Sequence, residues 1–171
     1  MPTYHIVRQG QSPAIHVIGP SIAYIELTQG KFALVDAEDA DCLAQWNWKA
    51  SATKSGSYAV RLQNIGSGRQ LTILMHRVLC WSDNLVDHRN MNRLDNRKSN
   101  LRPATRKENQ RNRRATSATG FKGIFKSGRK WSATIRLNGK ATYLGNHHTK
   151  EQANAAYTSA AHAHYGEFAR G

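Results

Sequence analysis

Three side chains in the middle of the chain, Asp87, His88 and Asn109, have the types that phosphodiester hydrolysis calls for. A neutral imidazole that titrates near neutrality can take a proton from an attacking water. A carboxylate and an amide oxygen are hard donors suited to Mg2+, which keeps its remaining positions for water and phosphate. The reaction also needs positive charge around the phosphorane and the departing oxygen. Arg77, Arg97 and Arg102 are placed to clamp phosphate, although a solvated basic face would look the same. Residue types alone leave a second reading open. An Asp-His pair in a basic loop also serves as a salt-linked surface feature, and Asn-rich loops are common turns.

Local elements must bring these groups together. Leu85-Val86 is a brief apolar run that can set Asp87 and His88 at the end of a strand. Residues 89–98 are almost entirely polar and read as a long hydrated loop or wide hairpin, with Leu101 as the apolar anchor of the return. Thr105 and Glu108 form a capping box, which predicts a helix from about Arg106 with Asn109 one turn inside it. His76, on a short apolar segment, reads as a satisfied structural histidine.

The preceding residues look like a small α+β segment. Ile22–Leu27 and Phe32–Asp36 are predicted strands of a hairpin, and a helix is expected from Asp36 to Trp48 with its acidic residues at the favoured end. Ser57–Gln63 and Gln70–Met75 are two more predicted strands around Gly66-Ser67-Gly68. Trp46, Trp48 and Tyr58 are assigned to the core. After a linker-like stretch at residues 114–120, a strand is expected from Gly120, and Lys130–Leu137 alternates with period two. Asn138-Gly139 signals a tight hairpin returning through Lys140–Gly145. Thr149 and Gln152 make a second capping box for a helix ending at Gly166. Its apolar face comprises Ala153, Ala156, Tyr157, Ala160, Ala161 and His164. That helix should cover the Ala133/Ile135/Leu137 face of the sheet, leaving Arg136 and Trp131 outward, where such a sheet can enter a major groove.

Charge names the partner class. The chain carries a net +14, of which residues 1–75 hold +1, residues 76–114 hold +7 and residues 115–171 hold +6. One-signed charge of this size suits a polyanion bound through phosphate contacts. Cys42 and Cys80 are isolated, which excludes a disulfide framework and points to a reducing, cytoplasmic compartment. No apolar run approaches the roughly 18 residues of a membrane span, and residues 1–10 lack the pattern of a secretory signal.

The string VDHRNMNRLDNRKSNLRPATRKENQRN resembles the His-Asn-His (HNH) endonucleases, specifically the homing branch found in phages. Asp-His, Asp-Asn-Arg, Asn-Leu-Arg and a following Asn nine residues on occur here in that branch's order and spacing. Residues 117–169, with FKGI, KWSATIR, YLG and AHYGEFA, resemble the plant APETALA-2/ethylene-response-factor (AP2/ERF) DNA-binding domain. The resemblance implies an α+β chain of three parts. These are an N-terminal α+β segment (1–75), an HNH ββα-metal nuclease core (76–114) and an AP2/ERF-like module of three antiparallel strands plus a helix (115–171). It implies His88 as general base, Asn100 as the residue holding the loop so that His88 keeps its orientation, and Asp87 and Asn109 as ligands of one Mg2+ or Mn2+ ion. Lys122, Lys126, Arg129, Trp131, Arg136 and Tyr143 become DNA contacts. Asn109 stands where the family name has its last His, which leaves the metal preference open. The expected activity is metal-dependent hydrolysis of double-stranded DNA to 5′-phosphate and 3′-hydroxyl ends, with nicking favoured, by a monomer or weak dimer without a small-molecule cofactor. The alternative is a DNA-binding regulator whose nuclease core is inactive.

Overall fold

The computed structural model describes residues 4–6 and 14–170; the reading of residues 1–10 as no secretory signal lies mostly outside them. The chain is α+β, built from small antiparallel sheets and short helices. It divides into two compact units, Met1–Ala104 and Thr105–Gly171, where composition suggested joins near residues 75 and 114.

In the first unit, β1 (Tyr4–Ile6), β2 (Ile15–Ile18), β3 (Ile22–Glu26) and β4 (Phe32–Asp36) form a four-stranded antiparallel sheet in sequence order. The expected β3–β4 hairpin is present, with Ile22 opposite Asp36 and Glu26 opposite Phe32. Helix α1 spans only Ala37–Ala44, shorter than the predicted Asp36–Trp48. It stops early because Trp48 turns inward: its indole N–H donates to the Leu43 carbonyl at 2.9 Å, satisfying one of the acceptors a helix end leaves unpaired. Trp48 and Leu43 are buried, whereas Trp46 is half-buried and Asn47 exposed. β5 (Lys49–Thr53), β6 (Gly56–Asn64) and β7 (Gln70–Leu74) make a three-stranded antiparallel sheet. β5 has no apolar alternation to announce it; pairing to β6 organises it. Ile25, Val35, Leu43 and Met75 centre the core that joins these elements. Helix α2 (Met75–Leu79) follows, and β8 (Leu85–His88) pairs with β9 (Leu101–Ala104).

The residue 89–98 segment joins the antiparallel β8–β9 pair as the expected wide hairpin, but its middle is not hydrated. Leu34 N–H donates to the Leu94 carbonyl and Asn96 N–H to the Leu34 carbonyl, both at 2.7 Å, so the segment docks in parallel on the free edge of β4. Asp95 is 2% exposed and Asn96 0%. This docking puts residues on both sides of the expected join near 75 into one unit.

The second unit opens with α3 (Arg106–Asn112), capped by Thr105 and Glu108 as expected. Hydroxyls of Ser117 and Thr119 bind the Phe121 carbonyl, so the linker-like stretch is a hydrogen-bonded turn. β10 runs Ile124–Ser127, starting later than predicted because Gly123 is left-handed (φ +62°). β11 (Lys130–Leu137) and β12 (Lys140–His147) meet at Asn138-Gly139, both with positive φ, as a type I′ turn requires. α4 (Lys150–Tyr165) carries the Thr149–Gln152 capping box and ends at Gly166. Ala153, Tyr157 and Ala161 are buried against Ile124, Ala133 and Ile135. His164, placed on that face by spacing, is exposed, and Tyr165 packs there instead.

Candidate active site

Asp87 and His88 end β8, opposite Arg102 and Leu101 of β9. Opposed residues of an antiparallel pair project to one face. Arg102 accordingly reaches Asp87, donating Nε and Nη2 to Oδ2 at 3.1 and 2.9 Å. Both side chains are buried. Arg102, expected as a phosphate clamp, is thus spent on the carboxylate.

His88 is 5% exposed, and its Nε2 lies 3.3 Å from Asn96 Oδ1. The amide of Asn96 is oriented by its own Nδ2, which donates to the Leu94 carbonyl at 3.3 Å. An amide oxygen only accepts, so Nε2 carries the proton and Nδ1 is the basic nitrogen of the neutral ring. Burial pushes the imidazole below its ordinary range, against the opposing pull of the Asn96 hydrogen bond and the carboxylates of Asp87 and Asp95. The ring therefore stays neutral, and able to take a proton, to lower pH than a free histidine.

Asn100 works on the loop backbone. Its Oδ1 accepts from Asn90 N–H at 3.0 Å and its Nδ2 donates to the Asp95 carbonyl at 2.7 Å. Asp95 anchors the same loop, taking a bidentate pair from Arg97 at 2.8 Å and a bond from Asn90 Nδ2 at 2.8 Å. Arg97 therefore braces the loop, while Arg77 braces the next one by donating Nη1 to the carbonyls of Ser82 and Asn84. Asp36, at the α1 N-cap, accepts from Lys98 N–H at 2.8 Å instead of capping its own helix. The Lys98 ammonium pairs with Glu38 and Asp39.

Two rings that sequence reasoning assigned to structure lie against His88. His76 of α2 is 5.0 Å away, centroid to centroid, in an edge-to-face arrangement, and Tyr58 of β6 is 6.2 Å away. The Arg93 guanidinium sits over Tyr58 at 4.7 Å. Neither ring had a local signal: each stands in an ordinary apolar stretch, and only packing of α2 and β6 against β8 reveals them. Asn96 was missed for a similar reason, since Asn in a polar run reads as a turn residue.

Asn109 lies half-buried in the first turn of α3, in the second unit, with its N–H bonded to the Thr105 carbonyl. In the same unit Lys126 and Arg129 are exposed, and the outer sheet face presents Arg136 with Tyr143, 60% exposed, and Phe125, 50% exposed. Trp131 is not outward. It shares parity with Ala133 and Ile135 and packs, half-buried, against their core. Lys122 is half-buried too, donating to the Arg111 carbonyl at the end of α3, and burial lowers its pKa to about 8. Lys107, Arg111, Lys122 and Arg136 line one cleft of about 470 Å³ that has no acidic residue.

A curated protein of Acanthamoeba polyphaga mimivirus, described as an uncharacterized HNH endonuclease, is 33% identical over 155 residues, covering 87% of this chain and 80% of that protein. The chain belongs to the HNH endonuclease family. No family model and no solved structure matches it. The matched length of this HNH chain far exceeds the 27-residue motif, so the likeness includes the surrounding scaffold. Among its described residues no group of three His, Cys, Asp or Glu side chains is placed to hold a metal ion. No helix among them is long and apolar enough to cross a membrane.

Proposed function

We propose that this HNH chain is a metal-dependent DNA endonuclease of the homing type, with His88 as the general base and the C-terminal sheet module as the site-recognition element. The observation that best supports the reading is the state of His88: a buried neutral imidazole whose Nε2–H is held by Asn96, leaving Nδ1 basic. A histidine kept for packing alone needs no such tautomer control.

By residue type, the two candidate ligands suit one divalent ion. Asp87 offers a carboxylate and Asn109 an amide oxygen, both hard ligands fitting Mg2+ or Mn2+. When bound, such an ion supplies charge stabilisation for the leaving 3′ oxygen. Arg102 donates twice to Oδ2 of Asp87 and so orients the carboxylate. His88 removes the proton from the attacking water through Nδ1 while Asn96 steadies the opposite nitrogen. Asn100 and Asp95 keep the 89–98 loop, and with it Asn96, at a fixed distance from the ring. On this reading β8, β9 and α3 are the elements of a ββα-metal core, and the second unit's three strands and α4 form the AP2/ERF-like module. Double-stranded DNA then meets Arg136, Tyr143, Lys126 and Arg129. A monomer carrying one such site nicks one strand per encounter.

The test is incubation of supercoiled and phage-genomic DNA with Mg2+, with EDTA, and with the His88→Ala protein. Open-circle product that needs both the metal and His88 supports the nuclease and the base assignment together. Tight DNA binding with no cleavage in Mg2+ or Mn2+ favours a DNA-binding regulator with an inactive core.

A further inference from the structure

Two aromatic rings pack against His88 that its role as a base does not by itself require. His76 is 6% exposed and meets the His88 ring edge-to-face, with centroids 5.0 Å apart and planes at 80°. Tyr58 leans on both, 5.4 Å from His76 at 45° and 6.2 Å from His88 at 53°. Tyr58 is itself held from above by Arg93, whose Nη1 donates to Thr53 at 2.7 Å. The three rings come from α2, β6 and β8, so tertiary packing alone assembles them.

The hydrogen bond to Asn96 is kept only while the ring holds its plane, because a turn about Cβ–Cγ carries Nε2 away from Asn96 Oδ1 and removes the preference for one tautomer. Edge-to-face packing is directional, favouring one interplanar angle over others. Burial, and then the nearby His88, Arg77 and Arg93, push the His76 imidazole below its ordinary range. It therefore stays neutral and does not place a second positive charge beside a base that must become imidazolium.

We propose that His76 is a positioning residue for the base: its ring sets the plane of the His88 imidazole so that Nδ1 points to the attacking water. The proposal rests on the assignment of His88 as base, and its test has one readout that does not need cleavage.

The experiment compares wild type with His76→Ala, His76→Gln and His76→Phe, each first checked by thermal melting. Long-range 1H–15N spectra of the histidine rings, in EDTA at neutral pH, report the His88 tautomer. Wild type and His76→Phe should show the Nε2–H form, whereas the Ala and Gln proteins should show a mixture of both tautomers. In Mg2+-dependent cleavage, His76→Ala and His76→Gln should lose about 10–100-fold in kcat with KM unchanged, the range seen when partners that orient a reactive group are removed. His76→Phe should recover most of it. Folded Ala or Gln proteins that keep a single His88 tautomer and a kcat within twofold of wild type overturn the proposal. If His76→Ala does not fold, the Gln and Phe pair decides by the same criteria. If the His76 variants show the tautomer response but the wild type cuts no DNA, the nuclease reading is refuted while the ring-positioning role stays in place.

Discussion

Leu34 and Asn96 exchange backbone hydrogen bonds with the same stretch of chain: Leu34 receives the Asn96 N–H at 2.7 Å and gives its own N–H to Leu94 at 2.7 Å. Sixty residues of sequence separate strand β4 from the loop it holds. Through Asn96 the edge of the N-terminal sheet reaches His88, whose Nε2 lies 3.3 Å from the Asn96 side chain. The N-terminal segment, which showed no chemistry of its own, thereby supports the side chain that meets the His88 ring.

Asn96→Ala removes the acceptor that holds the His88 tautomer. We expect cleavage to fall about 10–100-fold with DNA affinity unchanged, and stability to drop by about 1–3 kcal/mol because buried partners lose a hydrogen bond. Single-turnover cleavage and urea melts separate the two effects. Activity equal to wild type in a folded Asn96→Ala protein removes Asn96 from the mechanism.

His76 makes stability depend on pH. Its pKa is lowered from 6.5 to about 3, chiefly by burial. The unfolded chain therefore binds a proton that the folded chain refuses, and between those two values stability falls as pH falls. Above about pH 6.5 the effect is absent; within the window its slope approaches about 1.4 kcal/mol per pH unit. His76→Phe should flatten that limb in melts from pH 7 down to about pH 4. A limb as steep as in wild type would assign the acid sensitivity elsewhere.

Arg102→Ala leaves the Asp87 carboxylate buried without its guanidinium. Breaking a buried pair from one side costs about 3–5 kcal/mol, far more than losing an exposed one. Lys98→Ala, which breaks a solvent-exposed pair with Glu38 and Asp39, should cost far less, because water screens that pair. Denaturant midpoints of the two proteins give the contrast directly, and similar losses would contradict it.

Gly123→Ala should unfold or loosen the second unit. A Cβ there would stand 2.0 Å from the Thr134 carbonyl oxygen and 2.8 Å from the Tyr157 ring, at a φ of +62°. Backbone and ring must both move, so the loss should exceed the roughly 1 kcal/mol of left-handed strain alone. Gly128→Ala shares the positive φ but meets nothing within 4 Å and is the control; equal melting of the two variants would refute the steric argument.

Much of the second unit was legible because its signals are local. Capping boxes at Thr105 and Thr149, the Asn138-Gly139 turn and the period-two run of β11 depend on neighbours within a few residues, and each is present. Trp131 and His164 were misplaced within those elements by one step of face assignment. The β3–β4 hairpin was equally local.

The chain's amino-acid order by itself determined which groups are chemically competent: Asp87 and His88 adjacent at a strand end, Asn100 on the return, a capped helix carrying Asn109, and a basic excess in the C-terminal half. Tertiary structure decided how those groups are used. Arg77, Arg97 and Arg102 look alike in sequence, yet one braces a loop, one an acid of the next loop, and one a buried carboxylate. Likewise Asp95 and Asn96, inside a run of polar residues, are buried because the edge of β4 satisfies the backbone there. The physical reason is range. Turns, caps and alternation are settled by the backbone's own geometry, whereas burial, tautomer and ring packing are set by residues that meet only after distant strands have paired.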